Sequence, residues 1–308
     1  MIKKLFLLSG ILFASCVVLP LSPVFALEGG GSHYFGGGED FYSGSWPPPG
    51  LAFNLSTFYF NYGKLKGSDG QTVNVPGGFA VDGVSNSVRI QYTTQINILG
   101  GNLGYYVAPA LVYQYVSSGG RSESETTLAD INFGALISHH WKTFHQLAGI
   151  DAYAPTGAYD KNDVCNIGLN YWSLAPIYAF TYLGDMDSPL PGFEVSAKFM
   201  YFFHTTNTAT DYTSGQEFSF DYLVGQHFGK TGQLGIGVAG HYEYQVTDDT
   251  YGNAPSTFDG YKSRQFTIGP ALQYWVGKGF FTLKALFGVY DVNHGEGSSI
   301  QLKYWCPF

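Results

Sequence analysis

The chain has 308 residues, 45% hydrophobic and 18% aromatic but only 12% charged, with a formal net charge of −8. That balance excludes the basic footprint of a nucleic-acid binder, and a mean hydropathy of −0.02 is too polar for a bundle of membrane helices. Abundant Gly (41), Tyr (24) and Phe (25) beside so few charges is a composition of strands and turns.

The first residues carry the pattern of a secretory signal. Lys3 and Lys4 precede the apolar run "LFLLSGILFASCVVLPL", and "VFA" puts the small Ala26 at a cleavage position. Pro20 and Pro23 interrupt the run, which argues against a transmembrane anchor. Cys16 sits in a lipoprotein-like "FASC", but apolar residues follow it where a polar tether belongs. The expected division is a signal peptide at 1–26, a Gly/Pro-rich segment at 27–49 and one β-domain at 50–308. Cleavage leaves Cys165 and Cys306, without a Cys-x-x-Cys for zinc or redox chemistry.

In the second region, Gly-Gly-Gly runs at 29–31 and 36–38 rule out a helix or packed strand. Trp46 and the prolines at 47–49 form a stiff apolar elbow. Two readings follow: a plug that folds into the β-domain from its periplasmic side, or a disordered tether.

From residue 50 onward no run of about 18 apolar residues exists. Segments of about ten alternating residues recur instead, each followed by a turn, as in transmembrane β-barrels. In "SVRIQYTTQIN", Val88, Ile90, Tyr92, Thr94 and Ile96 oppose Arg89, Gln91, Thr93, Gln95 and Asn97. In "FEVSAKFMYFFH", Val195, Ala197, Phe199, Tyr201 and Phe203 oppose Glu194, Ser196 and Lys198. "QEFSFDYLV" and "GHYEYQV" set Glu217, Asp221 and Glu243 against rows of Phe, Tyr and Val. Twelve such segments lie near 50–63, 84–98, 103–117, 127–138, 142–154, 165–183, 192–205, 216–229, 233–247, 261–276, 279–292 and 298–308. Alternate connections are mostly long, among them "SSGGRSESETT" and "NHGEGS", and those between are mostly short, such as "GGN" and "GKG". The fold class expected is all-β: a closed antiparallel transmembrane barrel of twelve strands, with short periplasmic turns, longer extracellular loops and both termini in the periplasm. A secreted β-sandwich is the alternative, but it would turn its apolar faces inward.

The last segment, "SIQLKYWCPF", puts Ile300, Leu302, Tyr304, Cys306 and Phe308 on one face. These would be the lipid-facing row of the closing strand, with Tyr304 and Phe308 as an aromatic C-terminal signal read by the barrel assembly machinery. Alternation also sends Arg89, Gln91, Gln95, Glu194, Lys198, Glu217, Asp221, Glu243, Lys284 and Lys303 into the lumen. An Arg or Lys on the lipid face near the midplane costs about 2–4 kcal/mol, so these cations belong inside. There they either line a selective passage or pair across neighbouring strands to stiffen a closed barrel.

Catalytic signatures are absent: there is no G-x-S-x-G, H-E-x-x-H or G-x-x-x-x-G-K-[ST]. A barrel phospholipase would need a Ser–His pair on the lipid face, and His204 and His241 fall on the luminal one. His139, His140 and His145 lack accompanying carboxylates or thiols at ligand spacing. Asp160, Asp163, Asp211, Asp248 and Asp249 read as solvated acids of outer loops rather than Ca²⁺ ligands. Cys165 at an outer strand end and Cys306 at an inner one are expected to stay unbridged, because a membrane thickness of about 30 Å separates them.

The stretches "GGGSHYFGGGEDFYSGSWPPPG", "APTGAYD", "NIGLNYWSLAPIYAFTYL", "NTATDYTSGQEFSFDYLVGQ", "YEYQVTDD" and "TIGPALQY" resemble the outer-membrane transporter family named for the meta-pathway of phenol degradation. The resemblance spans nearly all of 27–308 and is most specific from Asn207 to Asp221. It implies a bacterial outer-membrane barrel for passive uptake of small hydrophobic or aromatic compounds. The partners it implies are outer-membrane lipid and lipopolysaccharide, the assembly machinery and a small hydrophobic solute. It implies no nucleic acid, cofactor or enzymatic activity. The competing reading is a structural or adhesive barrel with a closed lumen.

Overall fold

A computed structural model describes residues 28–185, 187–252, 254–255 and 262–308. The signal peptide expected at 1–26 lies outside these residues. The main sheet contains fourteen hydrogen-bonded segments. Breaks at Pro109 and at 129–130 split two long strands into halves, so the wall has twelve strands. They are β1 (Gly50–Leu65), β2 (Phe79–Ile98), β3 (Gly101–Ala108 with Ala110–Ser118) and β4 (Arg121–Leu128 with Ile131–His140). Next come β5 (Phe144–Ala154), β6 (Ser173–Leu183), β7 (Phe193–His204) and β8 (Glu217–Phe228). The wall ends with β9 (Leu234–Gln245), β10 (Arg264–Val276), β11 (Gly279–Val292) and β12 (Gly295–Pro307). Neighbours run antiparallel, and Thr57 of β1 faces Asn86 of β2 on one side and Leu302 of β12 on the other. That double pairing closes the sheet and removes its edges.

The alternation is inside-out relative to a water-soluble protein. Val88, Ile90 and Tyr92 point outward and are exposed, as are Leu272, Leu283, Ile300 and Leu302. Glu194, Glu217, Asp221, His241 and Lys284 are buried inside. This arrangement fits a wall with hydrocarbon outside and a polar lumen within, and it excludes the sandwich.

Two "long" connections differ from expectation. "SSGGRSESETT" is an extension of the β3–β4 hairpin, closed by a tight turn at Gly119 (φ 63°) and Gly120 (φ 78°). Two successive positive φ angles match the right-handed twist of the flanking strands. The β11–β12 connection is likewise a tight turn at 293–294 between long strands. The segment expected from 165 does not enter a strand until Ser173: residues 155–172 form a loop, and Asn170 has φ 59°. Cys165 is therefore buried in that loop, its thiol donating to the Gln114 carbonyl at 3.4 Å, and both Cys165 and Cys306 are free thiols. Connections 66–78, 155–172 and 205–216 and the described residues between β9 and β10 gather at one mouth, the loop end, where Tyr212–Thr213, Thr250–Tyr251 and Ala254–Pro255 form a small sheet. The opposite mouth is the turn end.

Candidate functional site

Residues 28–49 run through the lumen. At the turn end the Thr93 hydroxyl donates to the Pro47 carbonyl at 2.9 Å, and Gly44 N–H donates to Thr181 Oγ1 at 2.9 Å. Tyr42 N–H donates to Glu194 Oε1 at 2.6 Å. Midway, Lys284 and Lys303 reach Asp40 Oδ2 at 3.0 and 2.7 Å, and Arg89 reaches Glu39 Oε1 at 2.7 Å. Asp221 gathers the next turn: it accepts from Gly37 N–H at 2.9 Å, Glu39 N–H at 2.7 Å and the Tyr34 hydroxyl. Higher still, His33 bonds Ser173 Oγ at 2.7 Å and Asp130 Oδ2 at 2.9 Å. At the loop end Glu28 accepts from Asn207 Nδ2 at 2.9 Å and from Thr210. The first described residue is thus at the mouth opposite the end of β12, whereas both chain ends were expected on the periplasmic side. The segment joins the wall at the turn end, but it reaches all the way to the loop end.

The luminal residues expected from alternation divide into two groups. Arg89, Glu194, Asp221, Lys284 and Lys303 bind the segment. Glu217 and Glu243 meet wall or loop residues instead, and Lys198 does both, lying 4.0 Å from Glu39 of the segment. Lys198 pairs with Asp151 of β5 at 2.9 Å. His204 Nε2 lies 2.8 Å from Glu217 Oε1, and Ser263 Oγ donates to Glu243 Oε1 at 3.3 Å. Gln91 is buried and accepts from the Trp305 indole at 3.1 Å. Gln95 departs from the expectation: it is solvent-exposed near the turn end, where the β2–β3 register shifts between Thr93 and Asn97. A bulge there ends regular pairing and frees the side chain from the lining.

Alternation did not reveal the segment's own contributors, Tyr34, Glu39 and Asp40, nor Asp151 and Thr181 on the wall. The available signal was the acid pair directly after a glycine run, a flexible backbone carrying two charges opposite four luminal cations.

Two cavities flank the segment. One of about 300 Å³ opens toward the turn end, among Trp46, Trp275, Phe280 and Trp305. One of about 150 Å³ lies between Tyr34, Phe35 and the wall formed by β1 to β4. Asn54, Arg89 and Lys303 line both.

Elsewhere, His140 Nδ1 and His145 Nδ1 lie 3.1 Å apart at a short turn, and His139 stacks on Trp141. Among the described residues no group of three or more His, Cys, Asp or Glu is arranged to hold a metal. Asp249 braces a loop: it accepts from Tyr212 at 2.6 Å, Gly215 at 2.7 Å and Gln245 at 2.8 Å. Tyr304 is half-buried, and Phe308, at the turn end, packs edge-on against Phe53.

A closed twelve-stranded wall with an apolar exterior, a charged lumen and an internal segment defines a bacterial outer-membrane β-barrel. The family described as "Putative MetA-pathway of phenol degradation" matches residues 65–304, and the chain belongs to it. Among solved structures, the COG4313 outer membrane channel from Pseudomonas putida F1 is similar at a TM-score of 0.70 and 13% identity, covering 85% of this chain and 97% of that one. The β-domain of the Bordetella autotransporter BrkA reaches a TM-score of 0.48 at 10% identity, covering 85% of this chain and 100% of the other. The NanC porin reaches 0.42 at 9% identity, covering 83% and 100%. No curated protein matches the sequence.

Proposed function

We propose that the chain is an outer-membrane channel for passive passage of small hydrophobic or aromatic compounds, with residues 28–49 as its plug and no enzymatic step. Membership of the phenol-degradation family and the likeness to an outer-membrane channel support this reading. The observation that carries it is how the wall spends its charges: Arg89, Lys284 and Lys303 bind Glu39 and Asp40 of a segment continuous with the wall only at Gly50. A barrel built only for rigidity would pair those cations wall to wall. By the usual orientation of such barrels the loop end faces outward. In the same reading Tyr304 and Phe308 are engaged by the assembly machinery, and the apolar wall meets lipid and lipopolysaccharide.

Single-channel conductance of the refolded protein, with uptake by cells lacking it, tests this function. Conductance and an uptake defect for aromatic solutes are expected. A silent bilayer together with normal uptake would leave the structural or adhesive barrel as the better reading.

A further inference from the structure

The two cavities share a cationic border. Arg89 and Lys303 line both of them, beside Asn54. Among the described residues, the charged groups on the larger cavity are Arg89, Lys198, Lys303 and one carboxylate, Glu39. The nearest carboxylates to Lys198 and Lys303 are Asp151 and Asp40, each only 1% exposed and absent from the lining, while the lining Glu39 engages Arg89 at 2.7 Å and lies 4.0 Å from Lys198. The lining therefore presents three cations against one carboxylate. In the smaller cavity Asp130 is already engaged by His33 and by the amides of Gly157 and Leu169.

The rest of the larger cavity is aromatic. The Trp275 and Phe280 rings lie 4.9 Å apart and those of Phe280 and Trp305 5.3 Å apart. The Trp275 indole N–H is taken by the Tyr42 hydroxyl and that of Trp305 by Gln91, so these rings offer apolar surface to an occupant. A cavity of about 150 Å³ is enough for a benzene ring, and the larger one holds a ring with a substituent. The Arg89 guanidinium has five N–H donors in a planar fork suited to a carboxylate.

We propose that the larger cavity binds a monocyclic aromatic carboxylate, its ring against Trp275, Phe280 and Trp305 and its carboxylate at the Arg89–Lys303 border with the smaller cavity. The proposal rests on the channel reading above and narrows its solute to an anion. It favours aromatic acids over neutral aromatics of the same shape, and over small anions without a ring.

The test uses the refolded full-length protein, with tryptophan quenching and calorimetry against benzoate, benzamide and acetate. Benzoate is expected to bind at least tenfold more tightly than either comparison. Lys303→Met is expected to reduce the benzoate-to-benzamide preference about tenfold, and Lys303→Arg to restore it. Heat-modifiable mobility on a gel checks that each variant folds, and the three wild-type affinities decide the matter if a variant does not. Equal binding of benzamide and benzoate would overturn the anionic preference and leave the channel for neutral aromatics standing. Equal binding of acetate would overturn the aromatic part. Binding of neither aromatic, with no conductance, would overturn the channel reading itself.

Discussion

The Asp40 carboxylate lies 2.7 Å from the Lys303 ammonium, which ties the luminal segment to the closing strand of the barrel. Lys284 from the adjacent strand shares the same oxygen at 3.0 Å and also donates to the Gly37 and Glu39 carbonyls. Asp40 is 1% exposed, so this is a buried triad. Removing one partner of a buried pair typically costs about 3–5 kcal/mol, because the remaining charge is left uncompensated.

Asp40→Asn is therefore expected to release the middle of the segment without opening the wall, whose strand pairing does not involve it. Single-channel recordings would show larger or more frequent openings than wild type, while the folded gel mobility is retained. Unchanged conductance would mean that the triad does not hold the plug shut.

Gly44 provides a steric test of the same idea. A methyl group there would meet the Phe180 Cα at 2.4 Å, a backbone atom that cannot swing aside. Overpacking of this kind costs about 1–3 kcal/mol. Gly44→Ala is expected to loosen residues 40–48, seen as faster amide exchange there than in β6. Equal protection in variant and wild type would show that the segment packs less tightly on β6 than its geometry implies.

The faces of the strands were legible in the sequence because a period of two assigns each side chain to lipid or lumen, as for Val88 and Arg89. The partners were not. Alternation says that Arg89 points inward, but not which height or azimuth it meets, so its contact with Glu39 is invisible until the segment is threaded. The β3–β4 hairpin extension was hidden for another reason. "SESETT" is polar on both faces, as a strand projecting beyond a membrane can be, and alternation vanishes there. Conversely, "CNIGLN" alternates by accident, and a left-handed Asn170 keeps it out of the wall. Gln95 shows the limit at a bulge, where parity persists but regular pairing stops.

The outer face gives a prediction independent of the plug. Leu272, Leu283 and Leu302 stand opposite one another on three neighbouring strands, all outward and exposed. Leu302 lies near the middle of β12. Leu302→Arg should then destabilise the barrel by about 2–4 kcal/mol, the range for an arginine at the bilayer midplane. Urea-dependent folding into bilayer vesicles measures it. A cost near zero would show that this row does not face hydrocarbon.

At the loop end, acidity should tighten the plug. Burial pushes the Glu28 carboxyl above the ordinary glutamate range, and the nearby Asp249 adds to the shift, against hydrogen bonds from Thr210, Asn207 and Tyr159 that favour the charged form. A carboxyl with a raised docked pKa holds its proton better docked than free. Its contribution to docking is thus complete below the free value of about 4.3, and it is lost as the pH rises through the raised docked value. Amide exchange across 205–216, corrected for its intrinsic pH dependence, should therefore show more protection at acidic than at neutral pH. Glu28→Gln should flatten that profile, since the amide has no proton to lose. A profile that stays steep in the variant would assign the pH response to another group at this mouth.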